Sequence, residues 1–168
     1  MKVGIIGTGT LGPSIAQVFA QCDQVRVVYL CKGRETSSRT GLEAIKKSFD
    51  KLTTREKLNR ETAEKYLEKI EIGSKSILKD ADLVVEAVAE NLQVKRDIFQ
   101  EIDVICSRNT IFATNTSSLP IKNIGNGLSR PLIGMHFFNP APVMKLVEII
   151  TTSDTPDDMI KTLMAIAK

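Results

Sequence analysis

The chain contains a single histidine, His136, within Gly134-Met135-His136-Phe137-Phe138-Asn139-Pro140-Ala141-Pro142. Downstream, Glu148 interrupts the apolar run Leu146-Val147-Glu148-Ile149-Ile150. Pro140 and Pro142 forbid a continuous helix between the two and favour a turn joining two strands. Strands joined that way can bring the carboxylate against the imidazole, where it holds the ring in one tautomer. An imidazole so held is the base that alcohol oxidation needs, taking a hydroxyl proton as a hydride leaves carbon. A lone histidine beside aromatics also serves as a satisfied core residue, and a strand glutamate can simply face solvent. The residues alone leave both readings open.

A second constellation lies at the N-terminus. Lys2-Val3-Gly4-Ile5-Ile6 is short and apolar, as a buried central strand requires, and runs into Gly7-Thr8-Gly9-Thr10-Leu11-Gly12. The six residues fit G-x-G-x-x-G, and Leu11, Ile15, Val18 and Phe19 share helical spacing. Gly7 permits a tight turn, Gly9 removes the Cβ that would block a pyrophosphate, and Gly12 lets helix and strand approach. Phosphates then rest on open N–H groups at the positive end of the helix. Pro13 suits a first helical turn, where a backbone donor is dispensable. A second strand at Val25-Arg26-Val27-Val28-Tyr29-Leu30 completes the βαβ setting of a dinucleotide site. The expected cofactor-binding residues are therefore Gly7, Thr8, Gly9, Thr10, Leu11 and Gly12.

An acid about 20 residues past the glycines ordinarily holds the ribose 2′-hydroxyl of NAD. Here that region reads Cys31-Lys32-Gly33-Arg34. Lys32 and Arg34 are the cations that a 2′-phosphate wants, so the cofactor is NAD or NADP, with these two residues favouring NADP. A solvated basic loop is the plainer alternative.

The elements that position these groups alternate strand and helix. Leu42, Ile45, Phe49 and Leu52 form one amphipathic stripe, and Ala63, Tyr66, Leu67 and Ile70 form a second. Together they read as a helical hairpin inserted after the second strand. Leu83-Val84-Val85-Glu86-Ala87-Val88 and Ile111-Phe112-Ala113-Thr114 are further buried strands. They end at Glu90-Asn91 and at Asn115-Thr116-Ser117-Ser118, and ligands of open α/β sheets bind beyond such strand ends. Val94, Ile98, Ile102 and Ile105 mark a helix between them. The expected architecture is a doubly wound, mostly parallel α/β sheet over residues 1–168 as one domain.

Composition narrows the classes. The chain is 42% hydrophobic and 26% charged, which is ordinary globular composition. A net charge of +3 and 5% aromatic residues argue against nucleic acid as a partner. The uncharged run from Val3 to Cys22 holds too many glycines and polar groups for a spanning helix, so no membrane is expected. Lys2 alone is a thin start for a signal peptide. Cys22, Cys31 and Cys106 are odd in number and scattered, as in a reducing cytosol, so a cytoplasmic location and no metal are expected.

Gly7 to Gly12, Val85 to Asn91, Asn115 to Leu119 and the block from His136 to Glu148 occur in the order and approximate spacing of the 3-hydroxyacyl-CoA dehydrogenases, and the chain resembles that family over essentially its whole length. The resemblance implies a Rossmann-type domain that passes a hydride between NAD(P) and C3 of an L-3-hydroxyacyl-CoA such as 3-hydroxybutyryl-CoA, in fatty acid or butyrate metabolism. It implies that His136 is the general base in oxidation and the acid in reduction, with Glu148 orienting it. Ser117 resembles a serine that binds the reacting oxygen near the nicotinamide, and Asn139 an asparagine that contacts the cofactor. Glu90 and Lys95 match positions holding the nicotinamide half. Ser48 and Arg55 fall near positions that contact CoA on the hairpin.

The family's acid after the second strand is missing, which puts NAD preference in question. The family also continues into an all-helical domain that closes the site and forms most of a dimer interface. The present sequence ends at Ala165-Ile166-Ala167-Lys168. The expectation is a cofactor domain without that helical domain, monomeric or weakly dimeric by itself and homodimeric in a full-length enzyme. The alternative is a non-catalytic dinucleotide-binding or structural module.

Overall fold

The computed structural model describes residues 1–33 and 37–167. Strands β1 (Lys2–Ile6), β2 (Val27–Cys31), β3 (Ile70–Gly73), β4 (Leu83–Glu86), β5 (Ile111–Thr114), β6 (Leu132–Phe137) and β7 (Val147–Ile150) form one sheet in the order β3-β2-β1-β4-β5-β6-β7. All neighbours run parallel except β6 and β7, which are antiparallel. The strand order reverses between β1 and β4, which opens a crevice at their carboxyl ends.

Helices α1 (Leu11–Gln21), α2 (Ser38–Thr54), α3 (Arg60–Glu68) and α6 (Asp157–Ile166) pack on one face. There Ile15, Phe19, Ile45, Phe49, Ala63 and Leu163 meet Val3, Ile5, Leu83 and Val85. Helices α4 (Leu92–Asp103) and α5 (Ile121–Ile124) cover the other face, where Ile98, Phe99, Ile102 and Ile124 meet Ile6, Val84, Phe112 and Leu132. The period-two alternation of each strand divides its side chains between these two cores. With both faces covered, the central strands read as continuous apolar runs.

The doubly wound sheet, the inserted α2–α3 hairpin and the turn between β6 and β7 agree with the sequence reading. Several boundaries differ, among them Ile105, which lies beyond the end of α4 at Asp103. The second strand begins at Val27 rather than Val25, and the fourth ends at Glu86, short of Val88. Ile70 belongs to the edge strand β3 rather than to the second helix, because α3 ends at Glu68. Ile70-Glu71-Ile72-Gly73 carries no long apolar run, since only Ile70 of the four is buried, so pairing with β2 makes it a strand. Among the described residues, no helix is long and apolar enough to cross a membrane.

Helix α1 reaches the sheet through two glycines. Gly7 has φ +123°, which L side chains rarely adopt. A Cβ on Gly12 would lie 1.8 Å from the Gly7 carbonyl oxygen, whereas a Cβ on Gly9 would meet nothing within 4 Å. Gly12→Ala is therefore expected to destabilise the fold by roughly 3 kcal/mol in urea unfolding, while Gly9→Ala stays within about 0.5 kcal/mol of the parent. Equal losses from both would show that the helix–strand approach is not what Gly12 provides.

Candidate active site

The crevice beside β1 and β4 is a cavity of about 370 Å³ lined by Gly7 to Leu11, Gly33, Ala87 to Ala89 and Val94. Its floor is the glycine turn, held down where the Gly7 N–H donates to the Cys31 carbonyl at 3.0 Å. Thr10 caps α1 without a side-chain hydrogen bond, so the cap leaves its first-turn N–H groups to a ligand. The open space at Gly9 is what a pyrophosphate needs, and the residues present fit a dinucleotide. Lys32 is exposed and directly follows β2. Arg34, its expected companion, lies outside the described residues.

A charged cluster stands at the carboxyl ends of β4 and β5. Glu86 and Thr114 are paired in register, and alternation aims both at the α4 side, with Val84 and Phe112. Lys95 of α4 reaches in and donates to both Glu86 oxygens at 2.8 and 3.0 Å. The Thr114 hydroxyl and the Val88 N–H also donate to that carboxylate, each at 2.7 Å. Asn91 caps α4 by accepting from the Val94 N–H, which orients the helix carrying Lys95.

Glu90 joins this cluster to the next loop. Its Oε2 lies 3.3 Å from Lys95 Nζ, while its Oε1 accepts from the Thr116 hydroxyl at 2.5 Å and from the Ser117 and Ser118 N–H groups at 3.0 and 3.2 Å. Burial works against its charge, but Thr116, Lys95 and the Ser117 N–H outweigh it and hold the carboxyl down at about 2. Ser117 Oγ sits 3.4 Å from the same oxygen, a long contact that leaves the hydroxyl available. Asn115 then accepts from the Phe137 N–H at 2.7 Å, tying the serine loop to the strand that carries His136.

His136 and Glu148 are directly opposed across β6 and β7, and Nδ1 lies 2.8 Å from Glu148 Oε2. Facing pairs on one side of an antiparallel ladder hold their side chains close enough to interact. An ionised carboxylate only accepts, so Nδ1 carries the proton in this contact, and in the neutral ring Nε2 then presents its lone pair. The pair is accessible, with side-chain exposures of 18% and 50%. Phe138 packs on the imidazole with ring centroids 4.8 Å apart. Asn139 is exposed in the following turn.

The structure thus joins Glu90, Lys95 and Ser117 in one network and His136 with Glu148 in a pair beside it. Ser48 and Arg55 stand apart. Ser48 is half-buried in α2 and Arg55 is its exposed C-cap, on a hairpin packed against α1, β2 and β3. Sequence spacing does not pick out Glu86, Thr114 and Asn115 individually. An acid inside the apolar run Leu83-Val84-Val85-Glu86 was the available signal for Glu86, the same one that marks Glu148.

A six-strand parallel array in the order 3-2-1-4-5-6 with a glycine turn at its switch point defines a dinucleotide-binding domain. The model of the family described as "3-hydroxyacyl-CoA dehydrogenase, NAD binding domain" matches residues 2–168, and the chain belongs to that family. It is 39% identical to the 3-hydroxybutyryl-CoA dehydrogenase of Clostridioides difficile, over 100% of this chain and 60% of that protein. The mitochondrial hydroxyacyl-coenzyme A dehydrogenase of Homo sapiens is also 39% identical, over 99% of this chain and 55% of its own length. The crystal structure of a 3-hydroxybutyryl-CoA dehydrogenase from Escherichia coli K12 superposes with a TM-score of 0.93 at 35% identity, covering 99% of this chain and 36% of that one. The chain therefore spans little more than half the length of these curated relatives.

Two outcomes follow for the charged network. Lys95→Met leaves Glu86 buried without its counter-ion and is expected to cost roughly 3–5 kcal/mol in urea unfolding. A loss below about 1 kcal/mol would mean that solvent reaches Glu86. For Glu90, the folded carboxyl lies near 2 against an ordinary 4.5, so its stabilising contribution is present above 4.5 and is lost as pH falls towards about 2. The stability gap between the parent and Glu90→Gln should accordingly narrow across that window, and a gap independent of pH would contradict the assignment.

Proposed function

We propose that this chain carries the cofactor site and the acid–base pair of an L-3-hydroxyacyl-CoA dehydrogenase. The observation that carries the reading is the 2.8 Å contact between His136 Nδ1 and Glu148 Oε2, on β6 and β7 of the sheet whose β1 and β4 form the crevice, with β5 between them. Relatives named 3-hydroxybutyryl-CoA dehydrogenases support a 3-hydroxyacyl-CoA as substrate.

When bound, NAD supplies the carbon that accepts a hydride from substrate C3. The chain's own residues do the remainder. The glycine turn and the first turn of α1 bind the pyrophosphate. Glu90 and Lys95 hold the nicotinamide half, and Asn139 contacts the cofactor from the turn after β6. Ser117 Oγ donates to the substrate oxygen at C3. His136 Nε2 takes the hydroxyl proton during oxidation, and Glu148 balances the positive charge the ring then bears. In reduction the same nitrogen returns the proton. Ser48 and Arg55, on the hairpin, serve the CoA end of the substrate. Cys22, Cys31 and Cys106 are free thiols, which supports a cytoplasmic setting. Lys32, exposed just past β2, supports acceptance of a 2′-phosphate and hence of NADP alongside NAD.

Two measurements test these roles. NADH oxidation by acetoacetyl-CoA, followed by its near-ultraviolet absorbance, is expected to fall about 1,000-fold in His136→Gln with NADH affinity unchanged. A parallel collapse of NADH affinity would make His136 structural. Lys32→Asp is expected to shift the NADH/NADPH affinity ratio about tenfold towards NADH, read by nicotinamide fluorescence. An unchanged ratio removes Lys32 from cofactor choice.

A further inference from the structure

Glu86, Lys95 and Glu90 form a three-charge array at the end of β4, with side-chain exposures of 0%, 1% and 36%. Two carboxylates and one ammonium sum to one excess negative charge. The geometry says where that excess resides. Lys95 makes its two short bonds, 2.8 and 3.0 Å, with Glu86, and its contact with Glu90 is longer at 3.3 Å. Glu86 is further locked by the Thr114 hydroxyl and the Val88 N–H, so the buried pair is internally neutral and immobile. Glu90 is the exposed member. It follows Ala87, Val88 and Ala89, the segment that lines the crevice. Its Oε1 is stabilised by hydroxyl and N–H donors, which spread its charge without cancelling it.

We propose that Glu86 is a positioning residue that neutralises Lys95, so that Glu90 holds one uncompensated negative charge beside the crevice and favours the oxidised, positively charged nicotinamide over the reduced, neutral one. This rests on the reading of Glu90 and Lys95 as the nicotinamide half of the cofactor site. The two redox forms have nearly the same shape and differ by a unit of charge on the ring. A fixed charge near that ring therefore acts on one form and not the other, and it acts strongly where water is partly excluded. With Glu86 neutral, Lys95 would cancel Glu90 and the selection would disappear. A lysine held by Glu90 alone would be a simpler way to anchor a carboxamide, and the second, fully buried carboxylate is what sets this arrangement apart.

The test is calorimetric titration of the parent chain, Glu86→Gln and Glu86→Gln/Lys95→Met with NAD+, NADH and ADP-ribose. Glutamine keeps the shape of Glu86 and one of its two accepting oxygens, and removes its charge. Glu86→Gln is expected to raise the ratio of the NAD+ to the NADH dissociation constant at least about threefold, with ADP-ribose affinity unchanged. The double variant carries the charge of Glu90 alone, the same formal sum as the parent, and is expected to return the ratio to the parent value. Affinities for all three ligands that fall together, with the ratio constant, make Glu86 purely structural and overturn the proposal. A ratio that shifts but is not restored in the double variant overturns it equally. A parent that binds NADH no more tightly than ADP-ribose denies the nicotinamide half-site itself, so the underlying reading fails first. Should Glu86→Gln not fold, Glu90→Gln at the exposed member removes the same unit of charge and carries the same expected shift in ratio.

Discussion

Burying a carboxylate is costly unless its lone pairs are met and its charge is balanced. At Glu86, with no exposed side-chain surface, the sheet meets that demand from three directions: Lys95 on α4, Thr114 on β5 and the Val88 N–H in the crevice wall. Each donor belongs to a different segment, so satisfying one acid sets the relation of two strands, one helix and one loop. The site is built outward from there. Lys95, so held, meets Glu90, and Glu90 gathers Thr116, Ser117 and Ser118. Asn115 carries the connection on to Phe137, beside His136.

A second constraint acts at the far edge of the sheet. Every strand up to β6 is added in parallel, and parallel addition needs a crossover of a dozen or more residues. The connection from Phe137 to Val147 is too short for that, so β7 returns antiparallel. Antiparallel register places residues directly opposite, and the His136–Glu148 pair depends on that alignment. A slip of one residue would send Glu148 to the other face of the sheet, into the core that holds Met135 and Phe137. The apolar residues Val147 and Ile149, packed on that core, resist such a slip.

The two halves of the candidate site thus use different physics. The crevice depends on closeness of backbone: Gly12 against the Gly7 carbonyl, with Gly9 left open. The reacting edge depends on charge and hydrogen bonds held by a rigid sheet. Both halves sit at the carboxyl ends of the parallel strands, where a rigid sheet fixes the side chains they carry.

By itself the sequence determined the local features: the glycine turn, the strand before it and the helix after it, the amphipathic hairpin, and the proline turn between His136 and Glu148. These are set by backbone sterics and hydrophobic period, which act between residues close in the chain. Tertiary structure alone decided the rest. Strand β3 exists because β2 offers an edge, not because Ile70 to Gly73 demand extension. Apart from the Val88 N–H two residues on, the partners that give Glu86, Thr114 and Asn115 their roles lie 9 to 28 residues away. An acid in an apolar run announces that it must be satisfied. Which lysine, hydroxyl and amide satisfy it is settled only when the sheet closes around it, because hydrogen bonds are short and directional while sequence separation carries no distance.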